Sequence, residues 1–168
     1  VACKAGVTRT YHPFQKYPGN PVMVADKPWE GANIYNYGTV LPNESGPGYR
    51  MWYHSLNLGA PTADRVHANY ATSLNGIAWT KPNLGIVSYN GSTATNMFIL
   101  PGNCPSVMHT PWDAGLGRPY KLMRGGPWSV FSGAYSMDGV HWTEDPDSRC
   151  PAASDHCTFT WAPLSQKY

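Results

Sequence analysis

The sequence predicts an all-β fold of repeated antiparallel units, the kind that packs radially into a β-propeller. Three observations carry that expectation. The 168 residues hold 17 Gly and 16 Pro, spread along the whole chain, which leaves no room for long helices. Short β-type runs alternate with turn clusters from end to end. A turn pattern, S-x-[N/D]-G-x-x-W-T, also occurs twice, at Ser73–Thr80 and Ser136–Thr143, 63 residues apart.

Taken in order, residues 1–36 form a leading segment. Tyr37–Leu41 reads as a strand, Pro42–Gly48 as a turn, and Tyr49–Ser55 as a returning strand in which Met51 and Tyr53 alternate with Arg50, Trp52 and His54. Val66–Thr72 is a further strand, and Asn75-Gly76 predicts a type I′ turn, which demands positive φ at both central residues. An inner strand is expected between Met108 and an outer strand at Tyr120–Met123, and another inner strand at Thr158–Trp161. The whole is one domain, 1–168, divided into a first blade repeat (37–100), a second (101–148) and the start of a third (149–168). In the repeated motif, Ser and Asn or Asp are expected to bond the turn backbone while Trp covers the edge of its own sheet.

Composition narrows the partners. The chain is 42% hydrophobic and 13% charged, with a formal net charge of +2 and no basic run, so neither nucleic acid nor a membrane surface has an electrostatic footprint. No stretch approaches the ~20 apolar residues of a membrane span. The four cysteines, Cys3, Cys104, Cys150 and Cys157, lack metal-ligand spacing, and an even count favours two disulfides in an oxidising, extracytoplasmic setting. Cys150–Cys157 is the expected short clip, which leaves Cys3 with Cys104. Sequons at Asn43 and Asn90 suit a secreted protein. No metal and no cofactor are expected.

The ordered series Tyr17–Val24, Pro28–Gly31, Tyr37–Val40, Tyr49–Tyr53 and Tyr70–Gly85 resembles that of bacterial five-bladed propeller glycoside hydrolases, distant relatives of the arabinanase, xylosidase and fructosidase propellers. The resemblance runs from about Phe14 to Tyr168. Asn36–Thr39 stands where better-characterised relatives carry Asn-Asp-Pro. The resemblance implies a secreted glycosidase of poly- or oligosaccharides, with one carboxyl protonating the leaving oxygen while another activates water or attacks carbon. Its alternatives are a non-catalytic carbohydrate-binding propeller and a structural or assembly fragment. Five blades of 63 residues need on the order of 300 residues. About two to two and a half blades are therefore expected here, with another chain or copy completing the ring.

Few carboxylates are candidates. Glu30 follows Trp29 at the approach to the first inner strand, Asp113 follows Trp112, and Asp155 precedes Thr158–Trp161, so these three are the catalytic candidates. A rim ion pair or turn cap is the alternative for Glu30, and a turn residue inside the Cys150–Cys157 loop that for Asp155. Asp26, Trp29, Tyr37, His54, Arg65 and Trp112 are the substrate-binding candidates, through ring stacking and hydroxyl hydrogen bonds. Packing is the competing reading of the aromatics, and a satisfied core histidine that of His54.

Overall fold

The computed structural model describes residues 6, 8–100, 102–125, 130–151, 158–162 and 164. Among the described residues, eight strands form two four-stranded antiparallel sheets: β1 (Asn33–Pro42), β2 (Tyr49–Leu56), β3 (Val66–Ser73) and β4 (Met97–Ile99) in the first, and β5 (Asn103–His109), β6 (Tyr120–Gly125), β7 (Val130–Ser136) and β8 (Thr143–Pro151) in the second. Each sheet is a meander in chain order. The only helical pieces among the described residues are short 3₁₀ turns, at Pro28–Glu30, Thr62–Asp64 and Pro111–Leu116. The expected all-β class holds, and the described strands do not close into a ring.

The hairpin expected around Pro42–Gly48 forms, and its first strand begins earlier than expected, at Asn33. A register shift between Tyr35 and Thr39 interrupts it. There β1 runs so close to its neighbours that a Cβ on Gly38 would lie 2.0 Å from the Trp52 carbonyl oxygen and 3.2 Å from that of Pro105, so only glycine fits. At Asn75-Gly76 the outcome differs from the type I′ expectation. Gly76 takes φ +75°, but among the described residues with a side chain only Asn90 and Cys104 have positive φ. The side chains of Ser73 and Asn75 hold a wider turn instead, which lets the chain leave the sheet after a single Thr72–Thr80 bridge. The segment 158–161 carries no strand, in contrast to the expectation there, and an isolated bridge marks Ala162.

Alternation along β2 sorts its residues onto two faces. Arg50, Trp52 and His54 face the second sheet, where Trp52, Ala68, Tyr70 and Phe98 pack with Val107, Tyr120, Leu122 and Ala134. Burial of these large aromatic side chains is the main force joining the sheets; truncating a residue such as Trp52 costs about 3–5 kcal/mol. Met51, Tyr53 and Ala71 occupy the opposite face, covered by Met23, Ile34 and Trp79.

The interface also carries a polar clamp. Arg50 donates from Nε to the Tyr70 hydroxyl (2.8 Å), from Nη1 to the Tyr120 hydroxyl (2.7 Å) and from Nη2 to the Asp138 carbonyl. Tyr120 in turn donates to Glu44 Oε2 at 2.7 Å. Burial drives the Tyr120 phenol up to about 12, with the Glu44 hydrogen bond acting in the same direction.

Candidate functional site

Glu30 ends the 3₁₀ turn Pro28–Glu30 and is fully buried against the outer face of the first sheet. Its Oε2 accepts from the backbone N–H groups of Asp26 (2.9 Å) and Lys27 (3.1 Å) and from Lys81 Nζ (2.7 Å), while Oε1 accepts from the Tyr53 hydroxyl (2.7 Å). Lys81 also reaches Asp26 Oδ1 at 2.7 Å and the Val24 carbonyl at 2.8 Å, so one ammonium ties the two carboxylates to the leading segment. Asp26 is half-exposed, and the Lys81 hydrogen bond holds its carboxyl below the usual carboxylate range. Burial pushes the Tyr53 phenol well above its ordinary value, and the Glu30 charge adds to this. Tyr53 therefore serves as a hydrogen-bond donor.

Trp29 belongs to the same network. Its indole donates to Asn96 Oδ1 at 2.8 Å, and Asn96 Nδ2 donates to the Tyr53 hydroxyl and the Tyr70 carbonyl, each at 2.8 Å. The ring is buried against Tyr89, at 6.2 Å between centroids. Arg65 lies apart in the β2–β3 loop, where Nε donates to the Ala60 carbonyl at 3.0 Å.

Asp113 and Trp112 sit in the 3₁₀ turn between β5 and β6. Asp113 Oδ2 accepts from Lys121 Nζ, and Lys121 also reaches Thr110 Oγ1 at 3.1 Å. Trp112 is exposed and its ring lies 5.8 Å from that of Trp161. Glu30 and Asp113 thus occupy different sheets, one under the outer face of the first and the other in a connection of the second. Asp155, with Cys3 and Cys157, lies outside the described residues, as does the Cys150 side chain.

The structure does bring Tyr37 and His54 together. The β1 bulge stacks Tyr35 on Tyr37, with centroids 5.4 Å apart and planes 20° apart, and His54 on β2 approaches both rings at 5.1 and 5.4 Å. His54 is buried, and its Nδ1 accepts the N–H of Cys104 at 3.2 Å, which places the proton of the neutral ring on Nε2. Cys104 achieves this with φ +47°, at the register shift that opens β5. Close by, the N–H of Val107 donates to Thr39 Oγ1 at 2.9 Å, so β1 and β5 run side by side. Tyr37 remains 51% exposed. A half-exposed aromatic ring offers a face on which the C–H groups of a ligand can stack.

Several of these partners were not among the sequence candidates. Arg50 had a visible signal, a cation alternating onto the face of Trp52 and His54, and Glu44, His109 and Tyr120 complete its clamp, with His109 Nδ1 3.5 Å from Glu44 Oε1. Lys81, Tyr53 and Asn96 had none, since only the tertiary fold brings them to Glu30. Among the described residues no group of three or more His, Cys, Asp or Glu is arranged to hold a metal ion, and no helix is long and apolar enough to cross a membrane.

No family model matches the chain, and no curated protein does. Among solved structures, the chain is similar to a "putative glycoside hydrolase" from Parabacteroides distasonis ATCC 8503, at 20% identity and a TM-score of 0.51. The match covers 78% of this chain and 41% of that one, so the chain spans about two-fifths of its neighbour's length. At that identity the likeness speaks for architecture alone, an all-β arrangement of antiparallel sheets.

Proposed function

We propose that this chain is the saccharide-recognising part of a secreted, five-bladed propeller of glycoside hydrolase type, with 37–100 and 101–148 as consecutive blades and 149–168 opening a third. In that arrangement β1 and β5 line the axis, and a neutral poly- or oligosaccharide stacks on Tyr37 with Tyr35 and His54 beneath. The half-exposed ring of Tyr37, held between Tyr35 and His54, carries the reading. No metal or cofactor is required for such stacking, and its natural setting is an oxidising compartment, with another chain or copy completing the ring.

Recognition is favoured over turnover because the two described catalytic candidates, Glu30 and Asp113, are already engaged. Glu30 receives four donors and Asp113 receives Lys121, whereas a general acid needs a carboxyl free to deliver its proton. Hydrolysis is the second reading, supported by the likeness in fold to a protein described as a glycoside hydrolase. It needs two carboxyl groups beside the scissile bond, for which Glu30, Asp113 and Asp155 are the candidates, with Asp26, Trp29, Arg65 and Trp112 as contacts.

Calorimetric titration with a panel of neutral oligosaccharides, run beside an assay for released reducing sugar, tests both. Binding without sugar release is the expected result. Release that is abolished by Asp113→Asn would install the hydrolytic reading, and an absence of binding by every saccharide at millimolar concentration would overturn both.

A further inference from the structure

The repeated turn exists in this chain in two states. In both copies the serine hydroxyl accepts the N–H of the glycine, at 2.9 Å for Ser73–Gly76 and 2.8 Å for Ser136–Gly139. In both, the Asn or Asp side chain accepts the next two N–H groups, at 2.9 Å from Ile77 and Ala78 and at 2.8 Å from Val140 and His141. The second copy is docked on the first sheet. Arg50 holds the Asp138 carbonyl, Trp52 Nε1 holds the Gly139 carbonyl at 2.7 Å, and Val140 and Trp142 pack against the cluster containing Trp52 and Phe98. Among the described residues the Trp142 indole N–H, buried there, meets no acceptor. Among the described residues, the first copy has no second sheet docked against it. Its own Trp79 bonds the Gly76 carbonyl at 3.0 Å, the position that a neighbouring indole fills in the other copy.

Ladder register makes the comparison residue by residue. Tyr49 faces Ser73 as Tyr120 faces Ser136, yet Tyr49 is 41% exposed and Tyr120 5%. Ile77 corresponds to Val140 and is 43% exposed. The foot of the first sheet's outer face is therefore one unfilled half of an interface whose filled version lies between the two sheets. The same register puts Lys121 at the position of Arg50 and Met123 at that of Trp52, on the outer face of the second sheet. Around them a shallow groove is bordered by Arg118, Tyr135 and Phe159.

We propose that the Ser73–Thr80 turn of one copy docks head to tail on the Lys121–Met123 face of a second copy. A second copy fits because its face presents a cation where Arg50 stands and an apolar side chain where Trp52 stands. Ile77 packs on Met123, and Lys121 exchanges its bond to the Arg118 carbonyl, now 3.2 Å, for the Asn75 carbonyl of the other copy. Met123 has no N–H to offer, so Trp79 keeps the Gly76 carbonyl. Met23, Trp29 and Glu30 cover the upper part of the outer face, so contact is confined to its foot and belongs to the small, weak class. The two patches differ, so the contact is heterologous and can propagate. It is independent of the saccharide reading.

Sedimentation equilibrium from micromolar to millimolar concentration tests this, with Ile77→Arg on the turn and Met123→Arg on the face. For the wild-type chain the mass rises above 18.4 kDa with concentration. Each variant alone stays at the monomer mass, and an equimolar mixture stops at a dimer, because one intact turn then meets one intact face. Should Met123→Arg unfold by circular dichroism, Tyr135→Arg tests the same face. A wild-type chain that stays at 18.4 kDa throughout, or an Ile77→Arg variant that associates like wild type, overturns the proposal.

Discussion

The Arg50 guanidinium of the first sheet donates to the Tyr120 hydroxyl of the second at 2.7 Å, in the same buried spot where it also holds Tyr70 and the Asp138 carbonyl. A guanidinium can do this because its N–H groups diverge in one plane, so a single side chain satisfies acceptors from β3, β6 and the turn after β7. The Trp52 ring lies 5.0 Å from the same guanidinium carbon and shields it from water.

Arg50→Met is expected to lower stability by about 3 kcal/mol, since it leaves Glu44 and the buried hydroxyls of Tyr70 and Tyr120 short of a donor. Arg50→Lys should recover only part of the loss, because an ammonium cannot span the three acceptors at once. Urea unfolding of both variants checks the order. Equal stability of Arg50→Met and wild type would show that apolar packing alone joins the sheets.

Stability should fall as the pH drops, in two stages. Burial lowers the His67 pKa from 6.5, against the opposing effect of its Nδ1 bond to the Trp29 carbonyl at 2.9 Å. The unfolded chain then takes up a proton near 6.5 that the folded chain refuses, so stability is lost below that pH. The second stage lies below the ordinary carboxylate values of 3.8 for Asp26 and 4.5 for Glu44. Lys81 depresses Asp26. For Glu44 burial acts upward, and the Tyr120 hydroxyl and the charges of His109 and Arg50 outweigh it. Carboxylates with depressed folded pKa values stabilise above the unfolded pKa and lose that contribution on acidification. Urea titrations at pH 7.5, 5 and 2.5 measure both stages, and His67→Gln should flatten only the first.

The alternation of β2 and the repeated turn were legible because both are local: one follows the period of two of a strand, and the other is a set of side chain to backbone bonds within six residues. The docking of the second turn on Arg50 and Trp52 was not, since residues 87 and 88 positions apart meet only when one sheet stacks on the other. Glu30 illustrates the same limit. Its place after Trp29 drew attention to a carboxylate beside an aromatic, but the groups that determine its chemistry come from β2 and from the long β3–β4 connection, at Tyr53 and Lys81. The β1 bulge has no sequence signature, because Gly38 reads as a weak strand residue until the carbonyls of Trp52 and Pro105 crowd it. Cys104 gave no warning of its positive φ, a conformation that residue type seldom adopts.

Tyr37→Ala should weaken saccharide binding by about 1 kcal/mol, roughly fivefold, without altering stability by more than about 0.5 kcal/mol, because the ring is half-exposed. Tyr37→Phe should retain most of the affinity if ring stacking dominates. Calorimetry on the best ligand of the panel distinguishes these outcomes, and an unchanged affinity for Tyr37→Ala would move the binding site away from the β1 bulge.

The two motif glycines offer an internal control on docking. Gly76 and Gly139 adopt nearly the same backbone, with φ +75° and +76°, so alanine at either meets the same left-handed penalty, about 1 kcal/mol. Their surroundings differ. A Cβ at Gly76 would lie 3.7 Å from the Tyr49 ring, an ordinary contact, whereas one at Gly139 would lie 2.7 Å from Arg50 Nη2 and 3.0 Å from Trp52 Cζ2. Neither neighbour is free to retreat, since Arg50 is held by Tyr70 and Tyr120, and Trp52 is fully buried and bonded to the Gly139 carbonyl. Gly139→Ala should therefore cost about 1–3 kcal/mol more than Gly76→Ala. Chemical denaturation of the two variants side by side gives the difference directly. Equal losses would mean that the second turn is not seated on the first sheet in solution, and the packing of the two sheets would have to be redrawn.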